Sequence, residues 1–398
     1  MIRCTIGVMA YNEEDSIVPV LRALLAQRTE QCEIEQIIVV ASGCTDRTVE
    51  RAEAIAARNP IICVDHEPIR AGKAAAVNRL ISLAGGEVVV LVGADTLPDP
   101  SAIERLVAPF ADPEVGMTGA RVVPLNSAHS LLGWTVHLLW HLHHRLATQS
   151  PKLGELVAFR NVVETIPPDT ATDEVALEAA LTAQGLKLAY VPNAIVYNYG
   201  PENLGDFLSQ RRRIFAGHLH IAEQLGYRPV SMQNNWLARL CVEMVLSHPL
   251  LIVRLAFAML MEAYARLLGT FDHLTGHDHR AWRQVRSTKQ VQREGQGLRL
   301  AVINCRNSLD SGELLRCAAH IPQELGSLIW WDSPLTEAVF ALPAVEGCSV
   351  EQQLAALADY FGPRSRLMVA YRLVEFSTWQ ASDYAPQLEE QAVCVAAY

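Results

Sequence analysis

Four short polar segments in the first hundred residues each come at or just after the end of a stretch that is predicted to form a β-strand. They occupy residues 11–14, 42–48, 72–78 and 93–100. A doubly wound sheet binds its ligands outside the carboxyl ends of its strands. We therefore expect the four segments to meet at one edge of a sheet and to form a single site there.

Three side chains in these segments suit a ligand that carries a nucleotide and phosphates. Asp46 opens a predicted helix and could accept hydrogen bonds from a base, although a first-turn acid also simply stabilises the helix dipole. Lys73 lies near a helix start, where a cation is unfavourable, so it is either an exposed surface lysine or faces an anion such as phosphate. Asp95 follows the apolar run 88–92 and is either a turn residue or the ligand of a divalent cation that bridges phosphates.

Further along the chain, charged residues gather at two more predicted helices. Asp173 and Glu174 start the first, where they stabilise the dipole or, as adjacent carboxylates with shifted pKa values, supply a general base. The second carries three consecutive arginines, 211–213, on a single turn. This turn predicts either a solvated basic face or a clamp for a diphosphate, because guanidinium groups bind phosphate bidentately.

The elements that position these residues predict an α/β domain over residues 1–230. Apolar runs of strand length alternate there with segments of helical periodicity. The run 88–92 is apolar throughout, as expected for a strand of a parallel sheet that is covered on both faces. The predicted fold class is α/β with a doubly wound sheet.

Three regions follow this domain. Residues 231–279 contain the apolar stretch 244–261, which predicts membrane-embedded or interfacial helices, with a helical hairpin packed on protein as the alternative. The polar residues 280–297 predict a linker. Residues 298–398 are predicted to run β-α-β-β-α-β, the order of a small ferredoxin-like α+β domain, for which a regulatory role is one interpretation.

Composition excludes several classes of protein. The 398 residues include 33 basic and 43 acidic side chains, and the net charge of −10 argues against non-specific binding of nucleic acid. The nine cysteines contain no C-x-x-C pair, so neither a disulfide framework nor a zinc ribbon is predicted, and a reduced cytosolic setting fits best. One helical face carries His137, His141 and His144; it predicts either zinc ligands or an aromatic, basic helix at a membrane interface or acceptor groove.

Together and in this order, the polar segments resemble glycosyltransferase family 2, the inverting transferases of GT-A fold, over about residues 3–220. The matching segments are 42–48, similar to the family's D-G-S-T-D-x-T loop; 72–78, similar to G-K-x-x-A-x-N; 93–96, similar to the metal motif D-A-D-T; 173–192, similar to E-D-x-x-L…G…V-P; and 210–214, similar to the Q-x-x-R-W motif of membrane-bound members. Segment 154–160 is similar to an acceptor-side G-x-x-x-A-x-R pattern.

The resemblance implies roles for individual residues. Glu174 would be the general base, with Asp173 as runner-up, and Asp95 would bind Mg²⁺ or Mn²⁺. Gly154 and Arg160 would lie on the acceptor side. The implied donor-binding residues are Tyr11, Asn12, Glu13, Ser42, Asp46, Lys73, Asp95, Gln210 and Arg213.

The sequence also departs from the family pattern. Ala41 or Ser42 stands where the family often has an aspartate that contacts the base, and Gly93 replaces the first acid of the metal motif. The acidic pair occurs in reversed order, and Ile214 replaces the tryptophan, which weakens any case for processive polymer synthesis.

The implied activity is transfer of a sugar from a nucleotide-diphosphate sugar to a lipid-linked or saccharide acceptor, in cell-envelope or exopolysaccharide synthesis. The chain would be membrane-associated, with its catalytic domain in the cytoplasm and no nucleic-acid partner. A nucleotidyltransferase has a similar sheet, but the acidic pair followed by Gln210 and Arg213 argues against it. A degenerate transferase domain that serves as a regulatory scaffold is the non-enzymatic alternative.

Overall fold

The structure is a computed structural model that describes residues 1–126, 130–232, 252–277 and 279, together with 298–305, 327–331, 337–342, 350–361, 369–376 and 392–394. It divides into two compact units. The first comprises Met1–Val122 and Leu138–Lys289, and the second comprises Val123–His137 and Gln290–Tyr398.

An eight-stranded sheet organises the amino-terminal half of the chain. Its strands are β1 (Ile2–Ala10), β2 (Cys32–Ser42), β3 (Ile62–Glu67), β4 (Val88–Gly93), β5 (Thr96–Pro98), β6 (Val115–Pro124), β7 (Val157–Arg160) and β8 (Lys187–Asn198). The spatial order is β3-β2-β1-β4-β7-β6-β8-β5. Strands β3, β2, β1 and β4 are parallel, whereas β7 is antiparallel to both β4 and β6, and β5 is antiparallel to β8.

The predicted α/β class is confirmed, but the sheet is mixed rather than parallel throughout. The parallel part corresponds to the apolar runs that the sequence shows, because a helix connects each of these strands to the next one along the chain. The helices are α1 (Ile17–Leu25), α2 (Thr48–Ala56), α3 (Lys73–Leu83), α4 (Ala102–Val107), α5 (Leu131–Ala147), α6 (Asp173–Ala183), α7 (Leu204–Leu225), α8 (Ile252–Thr275) and α9 (Val350–Phe361).

The strand register sets where the four polar segments lie. Ala10 is level with Ala41 across β1 and β2, Ala41 with His66 across β2 and β3, and Met9 with Gly93 across β1 and β4. The carboxyl ends of the four parallel strands therefore meet at one edge, and the segments that follow them converge there, as the sequence predicts.

Strand β1 packs closely against α3. Gly7 is opposite Ile38 and Leu91 in the sheet, and a Cβ added to it would lie 2.0 Å from Cδ2 of Leu80, which is fully buried. No side chain fits at position 7 unless Leu80 moves. The contact between sheet and helix thus depends on this glycine.

We expect Gly7→Ala to lower the free energy of unfolding by about 1–3 kcal/mol, the usual cost of overpacking a buried contact. Denaturant titration would measure it. Gly85→Ala is the matched control, because a Cβ there meets nothing within 4 Å. Combining Gly7→Ala with Leu80→Ala should cost less than the sum of the single changes, since the two residues are in contact. Additive losses would show that the close approach is not the cause.

The second unit contains a five-stranded sheet. Its strands are β9 (Leu298–Cys305), β10 (Ser327–Trp331), β11 (Glu337–Leu342), β12 (Val369–Phe376) and β13 (Ala392–Cys394), in the antiparallel order β10-β11-β9-β12-β13. The first helix of the predicted β-α-β-β-α-β order would fall at 312–320, which lies outside the described residues, so the ferredoxin-like assignment stays a prediction.

The region 231–279 is described in part. Residues 233–251 lie outside the described residues, and they include 244–251, the first part of the apolar stretch 244–261. The whole predicted linker 280–297 also lies outside them. The rest of the apolar stretch forms the start of α8, which continues to Thr275. Across the described helices, none combines the length and apolar character that a membrane crossing requires.

Candidate active site

Hydrogen bonds join the first two polar segments to each other. Asn12, which has the positive φ of 53°, accepts a hydrogen bond from the backbone N–H of Thr45 at 2.8 Å. The backbone N–H of Glu13 donates to the hydroxyl of Thr48 at 2.7 Å. The two segments therefore form one preorganised wall of the site.

Asp46 and Ser42 both form hydrogen bonds to the protein backbone near this wall. The Oδ2 atom of Asp46 accepts from the backbone N–H of Glu14 at 3.1 Å, and its Oδ1 accepts from the backbone N–H of Thr48 at 3.0 Å. Both oxygens are thus engaged with protein at the start of α2. The Ser42 hydroxyl is buried and donates to the carbonyl of Ile69. The roles of Asp46 and Ser42 toward a donor stay predictions.

Tyr11 contributes an aromatic ring at the same edge. The guanidinium carbon of Arg70 lies 3.7 Å from the centre of this ring, a cation–π contact that fixes the loop before α3. Lys73 begins α3 directly after that loop. A cation at a helix start is unfavourable by itself. Lys73 is stabilised there because another helix brings acids to it.

Lys73 lies between the two acids at the start of α6. Its Nζ donates to Oε1 of Glu174 at 2.7 Å and is 3.0 Å from Oδ2 of Asp173. The side chain of Asp173 is 3% exposed and that of Glu174 is 19% exposed. Residues more than a hundred positions apart thus form one charged cluster at the sheet edge, with Glu174 the more accessible carboxylate.

The pKa values of the two acids diverge. Burial and the neighbouring Glu174 raise the pKa of Asp173 to about 6, against the opposing effect of Lys73. Burial also acts to raise the pKa of Glu174, but the charge and hydrogen bond of Lys73 outweigh it and bring the pKa below its ordinary value. Glu174 is therefore ionised at neutral pH and able to accept a proton.

The three arginines of α7 point in different directions. Arg213 donates to the carbonyl of Ala171, just before α6, and has Glu174, Asp173 and Glu155 as electrostatic neighbours. Gln210 lies one turn earlier on the same helix. Only Arg213 of the three therefore faces the acidic cluster.

The other two arginines bind α8 instead. Arg211 donates to both carboxylate oxygens of Glu262 at 2.8 and 2.9 Å, and Arg212 forms a bidentate pair with Asp272. The prediction of a three-arginine diphosphate clamp is thus wrong for Arg211 and Arg212, because their charges are already neutralised by acids of α8.

Asp95 lies directly beyond the end of β4. Among the described residues its carboxylate takes part in no hydrogen bond or ion pair. An unengaged carboxylate at the ligand edge of a sheet fits Mg²⁺ or Mn²⁺, which prefer oxygen ligands. Within the described part of the chain, no three acids, histidines or cysteines form a metal cluster, so a cation at Asp95 would take most of its ligands from elsewhere.

Glu155 is a site residue that sequence reasoning does not single out. It lies within the segment 154–160 and has Asp95, Glu174, Lys73 and Arg213 as electrostatic neighbours. The signal available in the sequence is a glutamate directly before an apolar strand, inside a segment whose glycine and arginine attract the attention. The spacing of motifs alone does not place it beside Asp95.

The two predicted acceptor-side residues lie far apart. Gly154 is next to Glu155, at the site edge. Arg160 is level with Val88, at the opposite end of β4, about 16 Å away along the strand. Its guanidinium donates to the carbonyls of Val115, Phe110 and Asp112. The structure therefore does not bring Arg160 to the site, because that side chain braces β7 against the chain before β6.

A buried acid supports the loop that carries Glu155. Glu178 on α6 is 2% exposed, and it accepts hydrogen bonds from the backbone N–H of Leu153 at 3.1 Å and from the hydroxyl of Tyr227 at 2.9 Å. Burial raises its pKa to about 7, although these hydrogen bonds act in the opposite direction.

This shift predicts a pH-dependent stability. The folded pKa of Glu178 exceeds the unfolded one, so the folded state holds a proton that the unfolded state has released, and stability falls as the pH rises from about 4.5 to about 7. We expect Glu178→Gln to gain on the order of 1–3 kcal/mol relative to the wild type between pH 5 and pH 8. Denaturant titration at both pH values measures this, with the exposed Glu164→Gln as control. A pH-independent difference would contradict it.

The histidines of α5 have separate partners. His137 is buried against the carbonyl of Asn126 at 2.7 Å, and burial lowers its pKa to about 4. His144 contacts the hydroxyl of Tyr190 at 2.9 Å, and its pKa is lowered to about 3, mainly by burial. These contacts give His137 and His144 roles in packing.

The parallel strands β3-β2-β1-β4 and the antiparallel strands beside them form a GT-A-like fold, and the charged cluster lies at the edge where such a sheet binds its ligands. The pattern of Glycosyl transferase family 2 matches residues 5–155, and that of Glycosyl transferase family group 2 matches residues 88–274. Together they cover about two thirds of the chain. The chain belongs to glycosyltransferase family 2.

Individual relatives agree with this assignment. The poly-beta-1,6-N-acetyl-D-glucosamine synthase of Staphylococcus aureus (strain MSSA476) is 28% identical over 222 residues, and an N-acetylglucosaminyltransferase of Rhizobium meliloti (strain 1021) is 25% identical over 228 residues. Each match covers 52% of this chain and 53% of the relative. The chain therefore matches only about half the length of these curated relatives.

A solved structure supports the fold. It is the mannosyltransferase PcManGT from Pyrobaculum calidifontis in complex with GDP-Man and Mn²⁺, with a TM-score of 0.53 and 21% sequence identity. The superposition covers 70% of this chain and 88% of that chain. The GT-A-like fold of the first unit is thus shared with a known transferase.

Proposed function

We propose that this chain is an inverting glycosyltransferase that moves a sugar from a nucleotide-diphosphate donor to a saccharide or lipid-linked acceptor. The observation that carries the proposal is the cluster of Lys73, Asp173, Glu174 and Arg213, which Glu155 links to the unengaged carboxylate of Asp95 as an electrostatic neighbour of both. It combines a general base, cations for a diphosphate and a candidate metal ligand at one edge of the sheet.

The chain's own residues account for a single displacement. The acceptor hydroxyl attacks the anomeric carbon while the bond from that carbon to the diphosphate oxygen breaks, so the configuration inverts. Glu174 takes the hydroxyl proton on Oε2, while its Oε1 keeps the hydrogen bond from Lys73. Arg213 stabilises the negative charge that develops on the departing diphosphate. A cation bound at Asp95 would neutralise part of the same charge.

The relatives suggest a donor. Two of them are named for N-acetylglucosamine, which makes a nucleotide-linked N-acetylglucosamine our first candidate and a β-linked N-acetylglucosamine chain the corresponding acceptor. The acceptor would belong to an envelope or exopolysaccharide pathway. This choice is a proposal, because the matches span about half of each relative.

A donor panel tests the activity. The full chain is incubated with UDP-N-acetylglucosamine, UDP-glucose or GDP-mannose, with Mn²⁺ or Mg²⁺ and with or without chitin-type and β-1,6-linked oligosaccharides. We expect one donor to release its nucleoside diphosphate. The matching acceptor should accelerate this release, and a chelator should stop it. No release from any donor would favour the non-enzymatic scaffold.

We further propose that α8 places the domain on the cytoplasmic surface of a membrane, where a lipid-linked acceptor would meet the donor. Support comes from an exposed apolar stripe at seven-residue spacing, Val253, Leu260, Leu267 and Leu274, each at least 66% exposed. The opposite face pairs Glu262 and Asp272 with α7. A helix with one apolar face and one charged face suits an interface.

Vesicle sedimentation tests this second proposal. The full chain with Leu260→Gln and Leu267→Gln should bind phospholipid vesicles at least about tenfold more weakly, since each leucine contributes about 1.5–3 kcal/mol when buried. Deletion of the helix is a poorer test, because it would leave Arg211 and Arg212 without their acids. Equal sedimentation of variant and wild type would remove the stripe from consideration.

A further inference from the structure

The metal segment of this chain has one carboxylate where two are expected. Gly93 replaces the first acid, and Asp95 is the acid that remains. A Cβ added to Gly93 would lie 2.9 Å from Oδ1 of Asp95. A side chain at position 93 would therefore contact the Asp95 carboxylate directly, and the glycine leaves that place open.

The neighbouring strand brings a carboxylate to this place. In the antiparallel ladder of β4 and β7, Val88 is opposite Arg160 and Leu91 is opposite Val157. The ladder ends at this last pair, and Gly93 and Glu155 each lie two residues beyond it. Both residues therefore lie at the same end of the β4–β7 pair, and Glu155 is an electrostatic neighbour of Asp95.

The backbone of Glu155 is strained. Its φ is 57°, and the N–H of Leu156 bonds to the carbonyl of Gly154 at 2.8 Å, which closes a γ-turn centred on Glu155. The γ-turn with positive φ is the rare, strained form, and glutamate is not a residue that favours it. Strain of this kind is concentrated at functional sites.

Glu155 has two acids and two cations as electrostatic neighbours: Asp95, Glu174, Lys73 and Arg213. Lys73 is already paired with Asp173 and Glu174. Across the described residues no hydrogen bond or ion pair holds the Glu155 carboxylate. Asp95 and Glu155 are thus two unengaged carboxylates that neighbour each other at the ligand edge.

We propose that Glu155 supplies the second carboxylate for the divalent cation at Asp95, in place of the acid that is absent at position 93. The inference rests on the proposed function, which puts a cation there. One carboxylate of the metal site would then come from the segment after β4 and the other from the segment before β7.

Metal binding without turnover tests the inference. The full chain is titrated with Mn²⁺ in the presence of UDP, and free Mn²⁺ is followed by electron paramagnetic resonance. We expect Glu155→Gln to weaken Mn²⁺ binding about tenfold or more. The exposed Glu164→Gln, from the loop after β7, is the matched control and should bind as the wild type does.

Two further variants separate metal binding from folding. Glu155→Gly relieves the positive φ, so it should melt at or above the wild-type temperature and still lose Mn²⁺ affinity. Gly93→Asp in the Glu155→Gln background returns an acid to the metal segment and should recover most of the affinity. If Glu155 acted in folding alone, Glu155→Gly would melt below the wild-type temperature and keep the wild-type Mn²⁺ affinity.

The Mn²⁺ titrations separate the role of Glu155 from the proposed transferase activity. Wild-type Mn²⁺ affinity in both Glu155→Gln and Glu155→Gly overturns the inference and leaves the proposed transferase intact. Absence of Mn²⁺ binding by the wild type with UDP overturns the metal in the proposed function, and the role of Glu155 with it.

Discussion

Replacing Asp95 with alanine is expected to lower metal-dependent sugar transfer by at least about a hundredfold, the usual effect of removing one charge-stabilising contact. The loss should be large because Gly93 supplies no second acid within the segment. Asp95 also forms no hydrogen bond or ion pair within the described part of the chain, so its removal leaves no protein donor unsatisfied. The folded structure should therefore persist.

The measurement is the initial rate of nucleoside diphosphate release across a range of Mn²⁺ and Mg²⁺ concentrations. A reaction with chelator gives the metal-free rate. Asp112→Ala is the control, because Asp112 is an exposed acid that bonds to the backbone N–H of Glu114. An alanine variant at position 95 that retains the wild-type rate and metal dependence would remove Asp95 from the reaction.

Replacing Glu174 with glutamine is expected to reduce transfer by about two powers of ten or more, the usual contribution of a general base. The amide oxygen of glutamine can still accept the 2.7 Å hydrogen bond from Lys73, so the shape of the cluster is retained. Donor binding should therefore survive. Single-turnover transfer and calorimetric binding of the nucleotide diphosphate separate the two effects.

Asp173→Asn provides the contrast to this variant. Asp173 is almost fully buried, whereas Glu174 is partly accessible to an acceptor. We expect the Asp173 change to affect the free energy of unfolding more than the transfer rate. If Asp173→Asn abolishes transfer and Glu174→Gln is tolerated, the two residues exchange roles.

The arrangement of the donor-side segments could be predicted from sequence because local patterns determine it. Apolar runs such as 88–92 mark parallel strands, and the carboxyl ends of parallel strands meet at one edge whatever the lengths of the connecting helices. The position of Lys73 at this edge follows from that topology, whereas the approach of Glu174 on α6 depends on tertiary contacts because β7 before it is antiparallel to β4. The sequence does not show, however, that the carboxylate of Asp46 accepts hydrogen bonds from the backbone of these loops; only the structure shows it.

The remaining features depend on tertiary contacts that spacing does not encode. Three consecutive helical residues point about 100° apart, so Arg211, Arg212 and Arg213 cannot all face one ligand, and the acids that bind the first two lie on another helix. The place of Glu155 depends on the register between β4 and β7. Arg160 matches a motif, but the same register puts it at the opposite end of the strand.

The three consecutive arginines of α7 connect α8 to the acidic cluster. Arg211 and Arg212 fasten one turn of the helix to Glu262 and Asp272, and the next residue, Arg213, reaches the acidic cluster. These two ion pairs bind the turn to α8, so a displacement of α8 would move the turn with it. Under the proposed function Arg213 stabilises the departing diphosphate, and a change at Asp272 would then alter donor affinity.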